Sequence, residues 1–248
     1  MSQLTVVIGD SQTPFQHELL HELACELIAK LKPSKLIHLG DLLDLPSMRR
    51  GEKNPYEPEH TIRECTDSAK KVLGDFGRAA GKQCYEKVLL EGNHESRLGL
   101  RLVNAPNVGE LVDFVSIPGM IGLAELGYTW VGEYPNGQYN ITSKLAAVHG
   151  WLVKGDAGAT ALAHIKATRF SLIHGHTHRL GITHLTQHNI DGTSTVLTGI
   201  ENGTMCDPSK LRYARVPNWQ LGFTLIHEYE NGDFHPEQVL FDGTGLIY

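Results

Sequence analysis

The chain has 248 residues, 41% of them apolar, and carries 22 Lys and Arg against 28 Asp and Glu, a net charge of −6. This much apolar material fills the core of one sizeable α/β domain, read as residues 1–248, and the acidic balance excludes a broad basic face for clasping a nucleic-acid backbone while leaving local phosphate contacts open. Four scattered cysteines without a C-x-x-C pair, no signal core at the N-terminus and no apolar run of about 18 residues lead us to expect a cytoplasmic protein with reduced thiols and no membrane partner.

In chain order, residues 4–8 are a compact β-branched run that reads as a first strand. Residues 15–31 follow, with Leu19, Leu20, Leu23, Leu27, Ile28 and Leu31 spaced along one helical face. Residues 35–39 (KLIHL) give a second buried strand ending at Gly40-Asp41. After a charged, Pro-rich loop at 46–59, Ile62, Cys65, Ala69, Val72, Leu73 and Phe76 mark a second amphipathic helix that Gly77 and Gly81 help to end. Residues 87–90 make a third strand that stops at Gly92-Asn93. The second half differs, with strands at 144–149, 170–174, 182–188, 193–200, 222–229 and 238–241 and one helix at 157–167. Turn signals at Asp191-Gly192 and Asn231-Gly232 point to antiparallel strands forming a second sheet packed on the first. The expected fold is α/β, a two-sheet αββα sandwich of mixed strands flanked by helices.

Of 14 histidines, six (His164, His174, His176, His178, His184, His188) fall in one short stretch, which raises the expectation of a metal site. The strand ends, read in order, give GDSQ at 9–12, GDLLD at 40–44, GNHE at 92–95, HG at 149–150 and GHTH at 175–178. This series resembles the calcineurin-like metallophosphoesterase superfamily, whose blocks D-x-H, G-D-x-x-D, G-N-H-[DE], a later H and G-H-x-H follow strands in the same order. The departure is Gln12, where the family has His, and the likeness is to phage- and bacterial-type members. The resemblance implies that Asp10, Gln12, Asp41 and His178 surround one divalent cation, and that Asp41 bridges to a second held by Asn93, His149 and His176. It also implies a general-acid role for His94, oriented by Asp44, in an in-line attack by metal-bound hydroxide. Carboxylate and amide oxygens with imidazoles suit Mn²⁺ best, with Fe²⁺, Zn²⁺ or Mg²⁺ also in range, and disfavour Ca²⁺. Only Asp10 and Asp41 among these donors are anionic, so two divalent ions leave a positive excess for an anionic phosphate.

Gln12 has three open readings: an oxygen ligand favouring Mn²⁺ or Mg²⁺, a contact through water, or a crippled site; in each, the cation beside Asp10 is the weaker one. Bland readings apply to His38, a hydrogen-bonded core residue, to Glu95, a local brace, and to His174, which strand alternation turns away from His176. The protein phosphatases of the superfamily carry an Arg directly after the second block, where this chain has Leu45, which counts against phosphoproteins. Arg49, Arg50 and Arg97 follow the second and third blocks and are candidate substrate contacts, with a solvated charged loop as the plain alternative. Trp219 and Phe223 are read either as a stacking surface or, more simply, as core. The expected substrate is a phosphodiester at a nucleotide or at a DNA or RNA end; the alternatives are a small phosphomonoester, or a binding module that kept the fold and lost catalysis.

Overall fold

A computed structural model describes residues 3–48, 60–105, 115–211 and 216–248. The first part of the chain alternates strands and helices: β1 (Gln3–Ile8), α1 (Glu18–Leu31), β2 (Lys35–His38), α2 (Ile62–Ala80), β3 (Glu86–Leu90), α3 (Ser96–Val103), α4 (Ile117–Ile121) and β4 (Thr129–Val131). Strands β1 to β4 run parallel. The helices start where a side chain satisfies exposed N–H groups. His17 accepts the Leu20 N–H ahead of α1, and Thr61 with Glu64 forms a capping box on α2. Gly77 does not end α2, which runs on to Ala80 and stops at Gly81.

The second part comprises β5 (Gln138–Asn140), β6 (Leu145–Val148), α5 (Ala159–Thr168), β7 (Ser171–His174), β8 (Leu180–His188) and β9 (Ser194–Asn202), followed by β10 (Gly222–Glu228), β11 (Phe234–Phe241) and β12 (Leu246–Ile247). Two sheets result, ordered β12-β11-β10-β1-β2-β3-β4 and β5-β6-β7-β9-β8. The two-sheet α/β sandwich expected from the sequence is what the chain forms, with two corrections. Strands β10 and β11 join the first sheet, where β10 runs antiparallel to β1. Period-two alternation says which face a residue takes, not which sheet its strand completes, and β1 had an edge left open beside β2. Second, β6, β7 and β9 are mutually parallel, so the second sheet is antiparallel only where β5 meets β6 and β8 meets β9.

Alternation along each strand builds the layers. Val6, Ile8, Leu36, Leu89, Phe223 and Leu225 pack against α1 and α2. Val7, Ile37, Val88, Ala147, Ile173, Ile200 and Ile226 meet between the sheets. Val148, Leu172 and Leu197 turn outward onto Ile165 of α5. Buried Lys35 donates across to the Ile141 carbonyl beside β5 at 2.9 Å and, within its own sheet, to Glu228 of β10 at 2.7 Å. The carboxyl ends of β1, β2, β3, β6 and β7 then open on one side, where ligand sites of such sheets form. No described helix is long and apolar enough to cross a membrane.

Candidate metal centre

Each of those five strand ends delivers a polar residue into a tight turn. Asp10, Gln12, Asp41, His176 and His178 all lie in the left-handed region, with φ of 51, 52, 48, 67 and 60°. This conformation costs on the order of 1 kcal/mol per side-chain-bearing residue, so its concentration on these positions marks a constrained site. Two glycines permit the crowding. A Cβ on Gly92 would strike the Asp41 carboxylate and amide, and one on Gly175 would strike the Asp10 carboxylate.

The donors converge. His176 Nδ1 lies 2.7 Å and His149 Nε2 3.1 Å from Asn93 Oδ1. His149 Nε2 is also 3.4 Å from Asp41 Oδ1. One ligand atom each of Asp41, His149 and His176 falls within 4.8 Å of the others. On the neighbouring side, His178 Nε2 lies 3.2 Å from Asp10 Oδ1, and the His176 N–H donates to the same carboxylate at 3.0 Å. Gln12 joins the two halves by donating its Nε2–H to Asp41 Oδ2 at 3.2 Å. The structure therefore gathers Asp10, Gln12, Asp41, Asn93, His149, His176 and His178 into one cluster.

Two features of this cluster fit a bound cation. His149 Nδ1 lies 2.9 Å from the Leu39 carbonyl, which can only accept, so that nitrogen holds the ring proton. In the neutral ring Nε2 is then a lone pair facing two oxygens, Asp41 Oδ1 and Asn93 Oδ1. A backbone carbonyl holding the far nitrogen is the usual support of a metal-ligating histidine. Gln12 Oε1 is the second feature, a buried oxygen with no hydrogen-bond partner in a fully buried side chain. Without a cation, a proton fills the first role: burial works against the charged His149 ring, but Asp41 outweighs it and raises the ring to about 9. Burial and then the charge of His149 lower His176 to about 4, leaving it a neutral donor. Asp41 stays well below the usual carboxylate range, because His149 and His94 overcome the effect of burial.

His94 stands beside the cluster. Its Nδ1 lies 3.0 Å from the Asp44 carbonyl and 3.3 Å from Asp44 Oδ1, and its Nε2 points past Asp41 Oδ2 at 3.6 Å. The same Asp44 carbonyl accepts from Arg97 Nη1 at 2.8 Å. His94 and Arg97 line a cleft of about 710 Å³ together with Asp41, Asn93, His176 and His178. Arg49 and Arg50 lie outside the described residues.

Supporting residues complete the site. Glu95 is buried and accepts the N–H groups of Asp41, Leu43 and Gly92, each at 2.9 Å, so it ties the second block to the third. Burial, helped by the Asp41 charge, pushes its carboxyl up to about 7. His38 bridges Ser11 Oγ and the Gly40 N–H, and His174 stacks edge-on against His164 at 4.6 Å. Trp219 and Phe223 part company: the first sits edge-on against His178 at 4.5 Å, the second is buried core. Sequence reasoning missed Cys206, whose sulfur lies 3.8 Å from His178 Nδ1, and Tyr134, whose ring meets His149 at 5.6 Å. It also missed Leu100, Arg101 and Asn104, which line the cleft. Spacing carried no signal for the first two, since their partners come from elsewhere in the fold.

These observations define a double-sheet α/β protein with a candidate divalent-cation site at its strand ends. By sequence the chain is 28% identical over 233 residues to the Gene 54 protein of Mycobacterium phage D29, covering 91% of this chain and 89% of that protein. It is 29% identical over 236 residues, with the same coverage, to the Gene 54 protein of Mycobacterium phage L5. No family model matches the chain. Among solved structures, Vacuolar Protein Sorting 29 from Cryptosporidium parvum overlaps 97% of this chain and 98% of its own at 14% identity and a TM-score of 0.44. Vps29 of Chaetomium thermophilum overlaps 96% and 98% at 12% identity and a TM-score of 0.40.

Proposed function

We propose that the chain is a metal-dependent phosphoester hydrolase of the calcineurin-like kind, acting as a phosphodiesterase on a nucleotide or nucleic-acid end. The observation that supports it is His149, whose ring proton is committed to the Leu39 carbonyl while its other nitrogen meets Asp41 Oδ1 and Asn93 Oδ1. Three electron-rich atoms around one point call for a cation. Asp41, Asn93, His149 and His176 would hold one ion, and Asp10, Gln12, Asp41 and His178 a second, weaker one, with Mn²⁺ favoured by the oxygen-rich donor set. Bound there, the ions would supply positive charge to a phosphoryl oxygen and make a water acidic enough to attack.

The chain's own residues do the rest. Asp44 takes the Nδ1–H of His94 and so turns Nε2 toward the cleft, where the protonated ring donates to the departing oxygen of the ester. Asp41 Oδ1, held by the His94 N–H at 2.9 Å, fixes the distance between that ring and the cluster. Arg97, anchored to the Asp44 carbonyl, presents its charge at the cleft wall. The cysteines Cys25, Cys65, Cys84 and Cys206 are free thiols, which supports a reducing, cytoplasmic setting.

Turnover of bis(p-nitrophenyl) phosphate and p-nitrophenyl phosphate with Mn²⁺, with and without a chelator, tests the proposal. We expect diester preference that chelation abolishes and that His94→Ala lowers by about 10²- to 10⁴-fold. Monoester preference would replace the diesterase with a phosphomonoesterase. No turnover with any divalent ion would leave a binding module.

A further inference from the structure

Helix α3 follows the GNHE turn directly and shows one face to the cleft: Arg97, Leu100, Arg101 and Asn104, at i, i+3, i+4 and i+7. This is a row about 10 Å long leading away from Asn93 and His94. Its two guanidinium groups are positioned rather than trailing. Arg97 Nη1 donates to the Asp44 carbonyl at 2.8 Å and Arg101 Nε to the Met48 carbonyl at 3.3 Å. Between them Leu100 stands half exposed, with Met48 across the same cleft.

We infer that α3 is a phosphate track, and that the cleft takes a single-stranded nucleic-acid end with several consecutive phosphates rather than a lone mononucleotide. The identity of the ester that is cleaved rests on the hydrolytic reading above; the track does not. A substrate with one phosphate uses the cluster and at most the nearer arginine. A second arginine one helical turn further, about 6 Å along the axis, matches the next phosphate of an extended strand. Leu100 and Met48 offer an apolar surface to sugar and base between those anchors. In a chain of net charge −6, two guanidinium groups held on one cleft wall offer N–H donors to successive phosphates without a duplex-binding face. The preference is therefore for a strand end, not an intact duplex.

Fluorescence anisotropy with labelled hexathymidylate, in the His94→Ala background with Mn²⁺, reads binding without cleavage; thymidine monophosphate serves as competitor. We expect the hexanucleotide to bind at least about tenfold more tightly than the mononucleotide, since one more charge-assisted contact is worth that factor. Arg101→Ala, at an exposed helical position, should lose about tenfold on the hexanucleotide and flatten its log–log salt slope by about 0.7, with Arg101→Lys restoring part. Equal affinity for the two ligands, or strand binding indifferent to Arg101, overturns the track. Turnover of bis(p-nitrophenyl) phosphate separates the two ideas. Turnover with Arg101-indifferent binding sinks the track alone, whereas Arg101-dependent binding without any ester turnover sinks hydrolysis and leaves a strand-binding cleft.

Discussion

Adding one methyl group at Gly92 or at Gly175 probes how closely the backbone must approach the candidate ligands. Neither glycine has a positive φ, so alanine meets no conformational strain and the effect is steric. At Gly92 the new Cβ lands on the Asp41 carboxylate, the Asp41 amide and the Glu95 carboxylate. Overpacking of this kind costs about 1–3 kcal/mol. Moving Asp41 also breaks its bond from the His94 N–H, at 2.9 Å, a buried contact to a charged acceptor worth about 1.5–3 kcal/mol. Together, Gly92→Ala should remove about 2.5–6 kcal/mol, a large part of a typical domain's stability. At Gly175 the atoms nearest the methyl all belong to the Asp10 carboxylate, so the disturbance starts on the Asp10, Gln12 and His178 side and reaches His176 only through the N–H that this carboxylate accepts. Urea unfolding in chelator and Mn²⁺ titration by calorimetry distinguish the two. Gly175→Ala should keep one tight equivalent, and Gly92→Ala should lose both, because Asp41 serves both ions in the proposed function. Unaltered stability with two full equivalents in Gly92→Ala would refute the shared-carboxylate geometry.

Gly99→Ala is the matching control: nothing lies within 4 Å of the added methyl, and removing a mid-helix glycine from α3 should raise stability by about 0.5–1 kcal/mol in the same unfolding assay. Gln12→His should strengthen the weaker ion until calorimetry shows two equal equivalents; weaker binding in that variant would mean that Gln12 Oε1 is the better donor there. Burial lowers the rings of His38 and His164 from the ordinary 6.5 to about 4, so between those values the unfolded chain binds the extra protons. The contribution of these two rings is then whole above about pH 6.5 and falls as pH drops toward 4, by up to about 1.4 kcal/mol per pH unit for each ring. Glu95 and His149, held above their ordinary values, titrate in the opposite sense, so urea midpoints in chelator are compared with those of His164→Gln; identical slopes between about pH 4 and 6.5 would contradict the buried neutral ring. Glu95→Gln keeps the shape but turns one of the two acceptor oxygens into an NH2 donor, so at least one of the three backbone N–H groups loses its partner; we expect about 2 kcal/mol of destabilisation in urea, with weaker Mn²⁺ binding as the blocks loosen.

Local pattern made the strand ends legible. A β-branched run ending in Gly plus a polar residue needs only nearby chain to form, and Asp10, Asp41 and Asn93 occupy that place on three parallel strands. His149 and the GHTH histidines were legible as part of an ordered series, not singly. Pairing across the fold was not legible. Nothing in the β10 residues says that β1 is their neighbour, and Cys206 reaches His178 only because the chain returns beneath the Asp10 loop, where Thr204 donates to the Asp10 carbonyl at 2.8 Å. Helix α3 escaped notice because it has eight residues with a glycine at its centre, too short a window for a helical period to stand out. Its cleft-lining face depends on where β3 ends rather than on its own composition.

The left-handed turns explain why the cluster can stand ready for a cation. A side chain held in a costly conformation stays there only if the surrounding backbone over-determines it, and here most of the restraints are not the donors themselves. Glu95 clamps Asp41, Leu43 and Gly92; the Asp10 and Gln12 amides bond to the Gly40 and Asp41 carbonyls at 3.0 Å; the Gly175 amide bonds to the His149 carbonyl at 3.0 Å. Donor and brace are therefore separable roles. Removing a donor such as His176, which contributes a ring but no backbone restraint through it, changes what the site holds while the turns keep their shape. Removing the Glu95 carboxylate frees three buried N–H groups at once, and the turns lose their reason to remain left-handed. Preorganisation of this centre thus resides in a residue that touches no proposed ion.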